Sequence, residues 1–316
     1  MSKDIKKFTI KQFREQFSDD NACLDYIFNL KYSNKSKCSK CGHTKSYVRV
    51  KNRRCYQCSK CSYQVYPTAN TILHKSTTPL TYWFFTIFLF TISKNGLSAC
   101  ELQRHLGVTY KTAYRMLQKI RVLITDKQGS DLFEGIVESD ETFVGGKNKN
   151  RHKDKKVKNS QGRSFKDKTP VLGIIKRSEY DYISDVSGKQ IKVITNPSFV
   201  KCFVVNNTSR KSIQPILHRT VKYNSTLMTD EWIAYEGLNR YYNHGIVDHS
   251  KRQYVNGDVT TNAIENFWSI VKRTINGSYI HVSKKHLQLY VNEIAFRFNN
   301  RYNSKMFYTL VNYLSS

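Results

Sequence analysis

"VESDETFVGGKNKNRHK", residues 137–153, begins as a hydrophobic strand and ends as a run of positive charge. Asp140 and Glu141 stand where the strand leaves the core, and Lys147, Lys149, Arg151 and Lys153 follow at once. Similar apolar runs surround it. "FEGIVESDETFV" (133–144), "PVLGIIKR" (170–177), "KCFVVNN" (201–207) and "STLMTD" (225–230) read as strands. The pattern of "SRKSIQPILHRTVKY" (209–223) is helical and falls between the last two. Strands, a helix and a further strand predict a mixed α/β domain over 133–305, helical from 261 onward.

Asp140 closes one strand-like run and Asp230 closes another, ninety residues later. In "TTNAIENFWSIVKR" (260–273), Asn262 and Glu265 are three apart and share a helix face, with Lys272 about two turns beyond Glu265. Two Asp at strand ends and an acid or amide from a helix are the hard oxygen ligands that a pair of Mg²⁺ or Mn²⁺ ions requires. Such a pair serves phosphodiester chemistry, and Lys272 is placed to hold a phosphate. Glu141 and Glu231, next to the two Asp, belong on the opposite strand face.

Composition names the partner. Lys and Arg number 52 against 24 Asp and Glu, a formal charge of +28, in a chain that is 39% hydrophobic. That is a folded protein with the charge of a nucleic-acid binder. The stretch 147–168 holds ten Lys or Arg and two Asp and reads as an exposed arm able to neutralise phosphates, through Lys147, Lys149 and Arg151 first. No secretory signal is visible at the N-terminus. The most apolar run, 82–92, is eleven residues against the roughly 20 needed to cross a bilayer, so no membrane is expected. The expected compartment is the cytoplasm and nucleoid of a bacterium or the nucleus of a eukaryote.

Ahead of the α/β region lie three smaller parts. Residues 1–35 carry a short helical pattern. Residues 36–70 hold five of the eight cysteines, and Cys38-x-x-Cys41 with Cys58-x-x-Cys61 supplies four thiolates for a structural Zn²⁺. Cys55-x-x-Cys58 is also a legal pair. The second arrangement is less favoured because Tyr63 and Tyr66 follow Cys61 and are placed to cover the site. Residues 79–125 read as three helices. In "GLSACELQRHLGVTYKTAYRMLQKIR" (96–121), Ser98 caps a helix burying Leu102 and Leu106, Gly107 makes the turn, and Thr109 caps a second. This is the helix-turn-helix pattern, offering Tyr110, Lys111, Tyr114 and Arg115 to a DNA groove.

Taken together, "CSKCG" (38–42), "CYQCSKC" (55–61), "GVTYKTAYRML" (107–117), "VESDETFVGGK" (137–147), "MTDEWIAYEGL" (228–238) and the run from Tyr254 to Arg301 carry a resemblance. The chain resembles the zinc-ribbon, ISXO-like group of DDE insertion-sequence transposases, relatives of the Merlin elements. The resemblance implies an RNase H-like catalytic domain with an integrase-type core. It places the first catalytic acid at Asp140 and the second at Asp230. The third position varies in the family between Asn and Glu followed by Lys, so both Asn262 and Glu265 are carried, the latter with Lys272. Cys55 and the Thr in "TTNAIE" depart from the family pattern. The implied activity is metal-dependent cutting of inverted-repeat DNA ends and joining of the 3′-hydroxyl to target DNA, by a homo-oligomer on DNA. A zinc-ribbon, helix-turn-helix regulator without catalysis and a nuclease or resolvase on the same fold are the alternatives.

Overall fold

The computed structural model describes residues 8–32, 37–44, 47–127, 129–145, 152–156, 168–184, 189–247 and 260–315. Lys147, Lys149 and Arg151, expected to neutralise phosphates, lie outside these. The chain divides into two compact units, Ser2–Lys127 with Tyr302–Ser316, and Gln128–Arg301.

The first unit begins with α1 (Ile10–Gln16), closed by a capping box in which Thr9 and Gln12 serve each other's backbone N–H groups. Helix α2 (Asp20–Tyr32) follows, then a three-stranded antiparallel sheet of β1 (Tyr47–Arg49), β2 (Tyr56–Cys58) and β3 (Gln64–Val65). Helix α3 (Leu80–Ile92) is the apolar run, with Trp83, Phe84, Ile87, Phe88 and Phe90 buried. Gly96 lies four residues beyond the end of α3, at φ 88°. Among the described residues no helix is long and apolar enough to cross a membrane.

Ser98 accepts from Glu101 N–H to start α4 (Ala99–Leu106), which Gly107 ends at φ 66°. Thr109 accepts from Thr112 N–H to start α5 (Tyr110–Asp126). Leu102 is buried, whereas Leu106 is only half-buried.

In the second unit β4 (Ile136–Val144) is the centre of a five-stranded sheet. Along the chain it is followed by β5 (Thr169–Lys176), by β6 (Glu179–Ser184) and β7 (Gln190–Asn196), which form a separate two-stranded hairpin, and by β8 (Phe199–Val204). Helix α6 (Arg210–His218), β9 (Thr226–Asp230) and β10 (Asn243–Val247) come next, then α7 (Asn262–Thr274) and α8 (Leu287–Asn299). The order is β10-β9-β4-β5-β8, with β4, β5 and β8 antiparallel and β9 and β10 parallel to β4. This mixed sheet is consistent with an RNase H-like DDE domain. The last helix, α9 (Met306–Asn312), belongs to the first unit, where Phe307 packs against Phe13, Phe17 and Phe88.

Strand alternation sorts the sheet into two faces. Val137, Leu172, Ile174 and Leu227 join a core with α6 and Tyr235. Val144, Val171, Ile175 and Val200 join another with Ile264, Phe267 and Trp268 of α7 and Val291 and Ile294 of α8. Residues of even number in β4, Glu138 and Asp140 among them, therefore face α7. Strands β6, β7 and β10 are not among those that the apolar runs predict. In the first two, every residue but the half-buried Ile194 is exposed, and β10 is five residues interrupted by Gly245.

Candidate active site

Asp140 and Asp230 reach the α7 face of the sheet by register. Strands β4 and β9 pair in parallel from Ile136↔Thr226 to Glu138↔Met228. Continuing that offset by two residues sets Asp140 beside Asp230, both pointing the same way. Asp140 is half-buried and Asp230 buried. The indole Nε1 of Trp268 donates to Asp140 Oδ2 at 3.0 Å, and Trp232 N–H donates to Asp230 Oδ1 at 3.1 Å.

Helix α7 brings the third acid. Glu265 is exposed on its first turn, where Thr261 donates its hydroxyl to Glu265 Oε1 at 2.8 Å. Asn262 and Lys272 are also exposed on α7. Glu141 sits on the opposite sheet face and accepts from the Tyr235 hydroxyl at 2.6 Å, and Glu231 is exposed. Among the described residues, only the four ribbon thiols form a set of three or more such side chains with all ligand atoms within 4.8 Å. The three acids are thus more loosely grouped.

The electrostatics of this face are those of an acid cluster. Burial first, then the negative charges of Asp230 and Glu265, push Asp140 from the ordinary 3.8 up to about 6. Hydrogen bonds from the Glu141 backbone and from Trp268 oppose the shift. The native carboxyl holds its proton to about pH 6, whereas the unfolded chain releases it near 3.8. Between those values the native state binds more protons, so stability falls as pH rises. The fall is about 2–3 kcal/mol for this group with divalent ions left out of the buffer. Urea unfolding at pH 4 and pH 7 measures it, and Asp140→Asn flattens the slope.

Gly173 makes this arrangement sterically possible. It pairs with Asp140 across β4 and β5. A Cβ there would meet Trp268 ring carbons at 2.5 and 2.6 Å and Ile264 Cδ1 at 2.8 Å. Gly173→Ala is expected to destabilise the protein by about 1–3 kcal/mol through overpacking. It also shifts the Trp268 indole off Asp140, so loss of Trp fluorescence response to divalent ions accompanies the lower urea midpoint.

The ribbon is a separate metal centre. Cys38 and Cys61 Sγ lie 3.7 Å apart, as do Cys41 and Cys58 Sγ. Four thiolates bound tetrahedrally at about 2.3 Å from zinc have edges of about 3.8 Å. The four-cysteine cluster is therefore consistent with structural zinc. Each pair ends in a left-handed residue, Gly42 at φ 68° and Ser62 at φ 55°, which turns the chain back under the metal position. Cys55 is buried and outside the cluster. Tyr63 and Tyr66, which follow the second pair, are 40% and 48% exposed. On α5, Tyr110 stacks on Tyr114, and Tyr110, Lys111 and Arg115 are exposed, although Arg115 also donates to Thr78 Oγ1.

Asp230 ends β9 as expected, whereas Asp140 lies at the middle of β4 and not at its end, because β4 continues to pair with β5 as far as Val144. A four-thiol ribbon followed by a mixed sheet whose parallel strands carry the two Asp defines a class, the zinc-ribbon DDE transposases. Residues 133–299 match the ISXO2-like transposase domain and residues 18–64 the transposase zinc-ribbon domain, and the chain belongs to the ISXO2-like transposase family. It is 24% identical over 293 residues to an uncharacterized protein in transposable element ISH50 of Halobacterium salinarum, covering 89% of this chain and 91% of that one. An uncharacterized transposase-like protein of Haemophilus influenzae is 32% identical over 103 residues, 31% of this chain and 78% of that one.

Proposed function

We propose that the chain is a DNA transposase that cuts the ends of its own element and joins them to target DNA. The observation that supports this is that the charges of Asp230 and Glu265 both act on Asp140, in a member of a transposase family. An Asp raised to about 6 by burial first, and then by the charges of Asp230 and Glu265, sits where positive charge is lacking. Such a donor set of hard oxygens fits Mg²⁺ or Mn²⁺. Held there, two ions would activate the attacking oxygen and stabilise the leaving one. The protein's own part is to fix the carboxylates. Strand register places Asp140 and Asp230, and Thr261 orients Glu265. Glu265 rather than Asn262 is the third ligand in this reading, because its charge already acts on Asp140. Lys272 holds a phosphate as a point charge.

End recognition falls to the α4–α5 pair as a helix-turn-helix, with Tyr110, Lys111, Tyr114 and Arg115 toward the groove. The basic stretch carrying Lys147, Lys149 and Arg151 neutralises phosphate beside the cut. The fold is read as RNase H-like, zinc as structural, and the working form as a homo-oligomer on DNA, in the nucleoid or nucleus. A strand-transfer assay tests this, using full-length protein, Mg²⁺ and duplexes carrying the inverted ends that flank the gene. Joined product is expected. Cutting without joining would favour a nuclease, and binding without cutting a regulator.

A further inference from the structure

Helix α7 starts with its capping residue engaged elsewhere. Thr261 occupies the N-cap and is 2% exposed, yet its side chain makes no capping bond and instead holds Glu265 Oε1. A helix start leaves backbone N–H groups that need acceptors. Here they are met from the sheet. Ile264 N–H donates to Glu138 Oε2 at 2.9 Å, and Ala263 N–H bonds to the same carboxylate. Glu138 is fully buried, and its Oε1 receives the Arg177 guanidinium. Arg177 reaches on to the Thr260 carbonyl at 2.8 Å and to the Thr260 hydroxyl.

A buried carboxylate is a costly cap, because a Thr at the helix end does that work without desolvating a charge. What the buried version adds is location. Glu138 and Asp140 are two residues apart on one face of β4, so the strand that carries the first acid also grips the helix that carries the third. Both Glu138 oxygens are taken by protein groups, which leaves it a clamp and not a metal ligand.

We propose that Glu138, with Arg177 and Thr261, is a positioning device that sets Glu265 against Asp140 and thereby the affinity of the site for divalent ions. This rests on the reading that Asp140, Asp230 and Glu265 hold those ions. Glu138→Gln keeps an acceptor for Ile264 and loses the charge that binds Arg177. Thr261→Val keeps the shape and loses the donor to Glu265.

The test is Mn²⁺ binding to the zinc-loaded full-length protein, followed by electron paramagnetic resonance. Both variants are expected to weaken binding by about tenfold or more, the usual effect of removing an outer-shell partner. Zinc content stays unchanged. On a Glu265→Gln background neither substitution should add further loss, since both act through that carboxylate. Arg177→Lys, which keeps the charge and gives up the reach to Thr260, carries the same cycle should Glu138→Gln not fold. Wild-type affinity in the variants, or losses that add fully on Glu265→Gln, would overturn the inference alone. A wild-type protein with no Mn²⁺ signal that Asp140→Asn removes would overturn the metal-site reading and the inference with it.

Discussion

Asp140→Asn is expected to lower the rate of end cleavage and of strand transfer by about 10³-fold or more, the scale on which removal of a preorganised electrostatic group acts. The replacement is nearly isosteric, and its carbonyl oxygen can still accept from Trp268 Nε1, so the bond now made at 3.0 Å survives. What goes is one negative charge. In the absence of divalent ions that charge is a burden, since burial and the two neighbouring acids hold Asp140 up to about 6. The variant should therefore melt no earlier than wild type at neutral pH, and should lose the rise in melting temperature that Mg²⁺ gives. Asp230→Asn behaves alike, because it sits in register beside Asp140 on the same face. Glu265→Gln joins them, while Asn262→Ala costs less than about tenfold and settles the third ligand. Retained Mg²⁺-dependent cutting in both Asp variants would remove the metal site from the mechanism.

Several features of this site are written locally in the chain. Strand β5 is buried on both faces, so its sequence is a nearly continuous apolar run, whereas β4 and β9 mix apolar residues with polar ones, among which Asp140 and Asp230 stand out. Helix caps at Ser98 and Thr109 are likewise local, side chain to backbone three residues on. The pairing of Asp140 with Asp230 is not local. It depends on β4 and β9 lying in parallel with a particular offset, which no window of sequence specifies. Gly173 looks like an ordinary strand glycine until Trp268 is laid across it. Glu138 reads as the outward residue of an alternating strand, and only the docked start of α7 makes it a buried cap. The residues after 301 pose the same problem, since apolar spacing makes α9 a helix without saying which core Phe307 and Leu310 enter. Strands β6 and β7 are exposed along almost their whole length, so the alternation of Tyr180, Asp181 and Tyr182 and of Ile191, Lys192 and Val193 marks no core face.

Removing zinc is expected to unfold the ribbon as a unit. Its three strands are three, three and two residues long, and beyond cysteines only Tyr56 and Val65 are buried within them. So little apolar surface cannot offset the ordering of the segment. The four thiolates supply the difference, because zinc binding to small domains of this kind contributes about 10–16 kcal/mol of apparent free energy. Hydrogen exchange followed by mass spectrometry reads the result locally. After chelation, or in Cys58→Ser, amides of residues 47–65 lose protection while those of β4 and β5 keep theirs. Cys55→Ala is the control. Cys55 is buried but stands outside the thiol cluster, so this variant costs about a kcal/mol or so of packing and leaves the zinc content at one per chain. Loss of zinc from Cys55→Ala would move the second knuckle to Cys55 and Cys58. Unchanged protection across 47–65 in the metal-free protein would mean that contacts other than the metal hold the three short strands together.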